Sequence, residues 1–308
     1  MSKKASWIRN LAALGLALVT AGSLTACSET PTWVEGEGAI KIVASTNVWG
    51  DIAHQVAGPT ATVQALIFNP GQDPHSFEAS ARDQLAVKDA DIVVFNGGGY
   101  DDFMTQLLQA DDTPPLVINA FDVATAANDL PTDRNEHIWF DTAQVRAVVE
   151  KLASDLTQLG ADADLLAESK SEVDAKLQLV DIRTDEIASA FGGEAAFATE
   201  PLIHYLLADC GMTESAPQEF TDAIEEGRDV APAVLAEATK ALQESKFAVL
   251  NASTKTKQID ALLASAPEVK SFEVSELLDQ HPESGDYSLD YFELLRLALD
   301  DIVEGARP

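Results

Sequence analysis

Residues 162–191 constrain this chain more than any other stretch, because roughly thirty positions pass without a glycine or a proline and are rich in Ala, Leu, Glu, Lys and Asp. Leu165, Leu166, Val173, Leu177, Val180 and Ile187 fall at helical spacing, with charged residues between them. At ~1.5 Å per residue such a helix is about 45 Å long, more than one small lobe needs. The run therefore predicts a linker helix spanning two lobes, ended by Gly192-Gly193.

Both flanks alternate short β-branched runs with helical patterns. Before the long helix, strands are expected near 39–45, 62–67, 91–96 and 116–119, and helices at 49–57, 80–88, 101–109 and 142–159. Residues 120–135 have little periodicity and read as a surface loop. After it, strands are expected at 195–199, 247–251 and 269–274, and helices at 201–209, 232–243, 257–264 and 288–304. Alternation of this kind implies an α/β protein, each lobe a mainly parallel sheet flanked by helices. The expected plan is an N-terminal lobe over 39–161, the linker helix over 162–191 and a C-terminal lobe over 192–308.

The first residues are read as a targeting segment. Lys3, Lys4 and Arg9 precede an apolar stretch too short for a permanent membrane helix. Leu24-Thr25-Ala26-Cys27 resembles a bacterial lipobox, so residues 1–26 are expected to be a lipoprotein signal peptide and Cys27 the lipidated residue. Residues 27–38 read as a tether. The remaining cysteine, Cys210, then has no disulfide partner and is expected to be buried. The chain has 308 residues, with 51 acidic against 20 basic and a formal net charge of −31. That balance excludes a nucleic-acid footprint and disfavours docking onto an anionic membrane.

In open α/β sheets, ligands sit beyond the carboxyl ends of strands. Four metal-capable side chains fall there or in loops: His75 and His137 from the first lobe, Glu200 and Glu276 from the second. Together they would offer two imidazoles and two carboxylates to a divalent cation, suiting Zn²⁺, Mn²⁺ or Fe²⁺. Spacing alone does not single them out, since 51 acidic residues offer many such sets. Gly97-Gly98-Gly99 lacks the spacing of a phosphate loop. His54 reads as a helix-surface residue, and Ser45 and Asn251 as donors behind the ligands.

The stretch Gly71-Gln72-Asp73-Pro74-His75-Ser76-Phe77-Glu78 resembles the Gly-x-Asp-Pro-His-x-[Phe/Tyr]-Glu signature of bacterial zinc and manganese solute-binding proteins that serve ABC importers (cluster A-I). Asn135-Glu136-His137-Ile138-Trp139-Phe140-Asp141 is similar to that family's Asp-Pro-His-x-Trp-Leu segment, with Glu136 replacing the usual proline, a change expected to touch the turn and not the ligand. The resemblance covers nearly all of the mature chain. It implies His75 and His137 as the first two ligands. Glu200, in Ala198-Thr199-Glu200-Pro201, matches the glutamate form of the third, with His204 as competitor. Glu276, ten residues before Asp286, stands where the family usually has aspartate, with Asp279 and His281 as nearby alternatives.

What the resemblance implies is a monomeric, lipid-anchored extracytoplasmic receptor, not an enzyme. It would capture one metal ion as cargo between its lobes and deliver it to a membrane permease. The long helix would allow only modest closure. Two carboxylates and a residue 120–136 loop without histidine lean toward Mn²⁺ over Zn²⁺, with Fe²⁺ behind. An adhesin on the same fold is the alternative. A secreted metallohydrolase is disfavoured, because four protein ligands leave little room for a catalytic water and no His-Glu-x-x-His helix is present.

Overall fold

A computed structural model describes residues 32–33, 40–109, 115–132, 134–278 and 290–307. Cys27 and the leader, and the alternative ligands Asp279 and His281, lie outside the described residues.

The first sheet is built from β1 (Thr32–Trp33), β2 (Ile40–Thr46), β3 (Ala61–Ile67), β4 (Ile92–Phe95) and β5 (Leu116–Asn119), in the order β1-β3-β2-β4-β5. All pairings are parallel except β1 with β3, where Trp33 sits opposite Val63. β1 lies within the stretch read as a tether. Two residues are too few to show an alternating pattern, so only the pairing reveals the strand. The helices α1 (Asn47–Ala57), α2 (Ala81–Lys88), α3 (Phe103–Gln109), α4 (Ala120–Asn128) and α5 (Thr142–Gln158) connect and cover these strands.

α4 corrects the surface loop expected over 120–135. Asn119 caps it by accepting a hydrogen bond from Asp122 N, and Phe121 and Ala124, one turn apart, are buried. α2 opens as expected with a reciprocal capping box, Ser80 and Asp83 bonding each other's backbone.

The linker forms as one unbroken helix, α6 (Ala163–Phe191), of 29 residues. Asp162 caps its start by accepting from Asp164 N and Leu165 N. Its buried stripe is Leu166, Val173, Leu177, Val180, Thr184 and Ile187, which matches the expected apolar face apart from the exposed Leu165. At Gly192, which ends the helix, a Cβ would come within 2.5 Å of Ala188 O.

Beyond it, β6 (Ala195–Ala198), β7 (Thr213–Glu214), β8 (Phe247–Asn251) and β9 (Lys270–Val274) form a parallel sheet in the order β7-β6-β8-β9. Its helices are α7 (His204–Asp209), α8 (Gln218–Glu225), α9 (Pro232–Glu244), α10 (Lys257–Ala264) and α11 (Tyr291–Ala306). Neither β7 nor α8 was expected. The expected 201–209 helix divides into a 3₁₀ turn, Pro201–Ile203, and α7. Cys210 is buried, as expected.

α6 packs on α1 and α5 from the first lobe and on α7 and α11 from the second. One buried apolar cluster runs without a break from Ile42 and Val94, through Leu177 and Val180, to Phe247 and Val249. Polar ties add to it. The Asn47 side chain bonds both backbone groups of Leu278, donating to its O at 2.7 Å and accepting from its N at 3.1 Å, and Tyr291 Oη donates to Trp139 O at 2.6 Å. Continuous packing across both lobes opposes a wide hinge motion.

Candidate metal centre

The cleft between the sheets is a cavity of about 790 Å³ lined by His75, His137, Glu200 and Glu276 among others. All four side chains expected from the sequence face this one space. Each is fixed by a different local device.

His75 sits in the 3₁₀ turn Pro74–Ser76 that follows β3. Pro74 presets the first φ of this turn, and the Asp73 carboxylate caps it by accepting from His75 N and Ser76 Oγ, each at 2.9 Å. The imidazole meets Tyr100 edge-on, with ring centroids 5.1 Å apart. Tyr100 is positioned by the glycine turn before it. Gly97, Gly98 and Gly99 all have positive φ, and a Cβ on Gly97 would fall 2.1 Å from Asn119 Oδ1. The buried Asp101 carboxylate closes this turn by accepting from Asn96 N at 2.7 Å and Gly97 N at 2.8 Å. The three glycines therefore form a strand-end turn behind the ligands.

His137 is buried, with Trp139 and Tyr100 at its edges. Asn135 Oδ1 accepts from His137 N at 2.7 Å and lies 3.0 Å from His137 Nδ1. That contact assigns the proton to Nδ1 and turns the Nε2 lone pair toward the cleft. Burial pulls the imidazole pKa down to about 3, and the neighbouring His75 adds to the shift, so His137 is a neutral donor at physiological pH. Asn135 also reaches the other lobe, donating from Nδ2 to Pro201 O at 2.7 Å, and Tyr205 Oη returns a 2.6 Å bond to Asn135 O.

The second lobe presents carboxylates. Glu200 follows β6, Asn251 ends β8 and Glu276 follows β9, so neighbouring parallel strands deliver all three to one end of the sheet. Asn251 Nδ2 donates to Glu200 Oε2 at 2.6 Å and also to Glu276 Oε1. Its Oδ1 accepts from Ser253 N and Oγ, which fixes the amide's orientation. Asn251 thus stands behind the two carboxylates; buried Ser45 makes no hydrogen bond to His75, His137, Glu200 or Glu276. Glu276 additionally accepts from Tyr100 Oη at 3.4 Å, across the cleft. Its pKa is raised, mainly by burial and further by Glu200. Glu200 is 5% exposed, and its Oε1 has no hydrogen-bond partner.

His204 does not enter this cavity. Its Nδ1 lies 2.5 Å from Glu214 Oε2, on the far side of Pro201. His54 lies on α1 and is likewise absent from the cleft lining.

Two further carboxylates enter the cavity that were not expected there. Glu136 does more than alter a turn: its Oε1 is 4.0 Å from His75 Nε2. Glu225, at the end of α8, places Oε1 3.8 Å from His137 Nε2. Burial raises the Glu225 pKa to about 8, with Glu136 and Glu200 contributing. Among the described residues, the group whose ligand atoms all lie within 4.8 Å of one another is His75, Glu136 and Glu225, not the expected quartet. The sequence does hold a trace of α8, because Phe220, Ala223 and Ile224 repeat at helical spacing after Pro217. Nothing local indicates that Glu225 would face the histidines.

The family described as "Zinc-uptake complex component A periplasmic" (ZnuA) matches residues 42–305 of this chain. The manganese-binding lipoprotein MntA of Halalkalibacterium halodurans is 30% identical over 151 residues, 48% of this chain and 48% of that protein. The iron-binding protein YfeA of Yersinia pestis is 23% identical over 180 residues, 56% of this chain and 58% of that protein. The chain therefore spans about half the length of these curated relatives. Among solved structures, the periplasmic zinc binding protein TroA from Treponema pallidum superposes with a TM-score of 0.73 at 17% identity, covering 88% of this chain and 100% of that one. The likeness is one of fold: two parallel-stranded lobes joined by a long helix. The match over residues 42–305 meets the expectation raised by the two histidine motifs, and this chain belongs to the zinc-uptake component A (ZnuA) family.

Proposed function

We propose that this chain is an extracytoplasmic solute-binding protein that captures one divalent transition-metal ion between its lobes and delivers it to the permease of an ABC importer. The observation that carries this reading is the donor set of the cleft. Two imidazoles from one lobe face carboxylates from the other, and the buried Glu200 Oε1 has no donor of its own. Buried carboxyl oxygens are stable when paired, and a cation would pair several of these at once. His75, His137, Glu200 and Glu276 are the residues assigned to hold it.

Carboxylates favour harder ions, so Mn²⁺ is the assigned cargo ahead of Zn²⁺. Two relatives, one named as manganese-binding and one as iron-binding, are compatible with an oxygen-rich site. Anchoring through Cys27 completes the proposal.

Isothermal titration of the purified monomeric protein with Mn²⁺ and Zn²⁺ should give one equivalent bound. The double variant His75→Ala, His137→Ala should lose that binding, and unchanged affinity would overturn the reading. Elemental analysis of protein from its native host identifies the cargo, because affinity order favours Zn²⁺ in vitro at most such sites.

A further inference from the structure

Glu136 and Glu225 are not needed by the four-residue set assigned above, yet both face it. His75 Nε2 stands 4.0 Å from Glu136 Oε1, and His137 Nε2 stands 3.8 Å from Glu225 Oε1. The ligand atoms of His75, Glu136 and Glu225 lie within 4.8 Å of one another, a spacing that one cation can bridge.

The two glutamates also border a second cavity, of about 510 Å³, whose wall carries Glu214, Asp222 and His204. They therefore stand at the partition between two acid-lined spaces. Three acceptors around this partition lack partners. Glu200, 95% buried by its 5% exposure, leaves Oε1 unbonded toward the cleft. Glu225 Oε1 and Glu214 Oε1 are buried atoms with no hydrogen bond. Buried carboxyl oxygens without donors are costly unless something positive visits them.

We propose that His75, Glu136 and Glu225 form an outer coordination position for a divalent cation, occupied before the ion moves inward to His137, Glu200 and Glu276. The proposal rests on the metal-receptor reading and adds a route to it. His75 belongs to both positions, so one ion occupies one position at a time. A shared ligand lets the ion exchange Glu136 and Glu225 for inner ligands stepwise, without passing through a fully undercoordinated state. A stepping position of this kind lowers the barrier in both directions and leaves the end-state affinity nearly unchanged.

The test is stopped-flow mixing of Mn²⁺ with the full protein, followed by tryptophan fluorescence, since Trp139 lies 5.2 Å from His137. Release is read in the same way with excess chelator. The variant Glu136→Gln/Glu225→Gln keeps side-chain shape. It should slow both association and release by about tenfold, within the range that local charge and outer ligands command, with Kd within about threefold of the parent. The control Asp222→Asn/Glu226→Gln removes negative charge nearby without touching the three proposed outer ligands and should slow association alone.

Slowed association with unchanged release, matching the control, would mean simple electrostatic steering and would overturn the proposal. Faster release with weaker Kd would make the glutamates end-state ligands and would also overturn it, as would two unchanged rates. Should the double variant not fold, Glu136→Gln alone reads the same two rates. Failure of the parent protein to bind Mn²⁺ or Zn²⁺ would instead remove the receptor reading itself.

Discussion

The two lobes prepare their sides of the cleft in opposite ways. The first lobe supplies imidazoles, each oriented by its own support: the Asp73-capped turn for His75, Asn135 and an aromatic wall for His137. These donors are neutral or partly exposed, so they tolerate an empty cleft. The second lobe supplies carboxylates that share one support, the Asn251 amide, which donates to both Glu200 and Glu276. Like charges held together in a buried place repel, and here a single amide with two N–H groups offsets that repulsion. The contrast indicates where each lobe's sensitivity lies. On the proposed reading, substitutions on the histidine side should act mainly on affinity, and those on the carboxylate side mainly on the stability of the metal-free protein.

The sharpest test of this contrast is Asn251→Ala. It leaves two buried carboxylates without their common donor and should destabilise the metal-free protein by about 3 kcal/mol. The metal-saturated protein should lose much less, because the cation takes over the pairing. Equal losses in melts with and without Mn²⁺ would show that Asn251 does not substitute for the ion.

Asn135→Ala probes the other side. It releases His137 from its fixed tautomer and should weaken Mn²⁺ binding by about 10–100-fold, the usual cost of losing a ligand's hydrogen-bond partner. The melting temperature of the metal-free protein should fall less than in Asn251→Ala. The reverse ranking in the two melts would break the comparison.

A test away from both sides of the cleft is Asp51, a buried carboxylate that is absent from the cleft lining and has its own donors. It accepts from Tyr291 N at 2.9 Å, tying α1 to α11, and from Gln55 Nε2 at 2.5 Å. Burial nevertheless raises its pKa from 3.8 to about 6. The folded chain therefore holds a proton that the unfolded chain releases, so this group's contribution to stability declines as pH rises from about 4 to about 6. Asp51→Asn keeps an acceptor and removes the titration. Its stability relative to the parent should rise by about 3 kcal/mol across that window and then level off, as read from urea melts at stepped pH.

Much of this architecture is legible along the chain. β2 to β6, β8 and β9 stand where short β-branched runs predict them, and α6 follows from spacing and the absence of breakers. The glycine turn at Gly97 and the capped turn at His75 have causes within a few residues. What escaped had distant causes. β1 and β7 are two residues each and exist through pairing with β3 and β6. α4 and α8 are short helices whose buried faces amount to three and four residues.

The candidate site divides along the same line. His75 and His137 sit in motifs whose neighbours dictate their orientation, and the resemblance of those motifs to the family signature nominated them. Glu200 and Glu276 follow strands, which gave their general location; Asn251 bridging them depends on β8 lying between β6 and β9. Glu136 and Glu225 are separated by all of α5 and α6 and by the second lobe from β6 to α8. Glu136 meets His75 through packing within the first lobe, and Glu225 reaches His137 only because the second lobe faces the first. Sequence determined most of the elements and the linker, because those depend on short-range sterics and periodicity, and it brought out the histidine pair through two motifs that resemble a known family's. Only the tertiary structure decided how many carboxylates share the cleft, because charge proximity between lobes has no local signature.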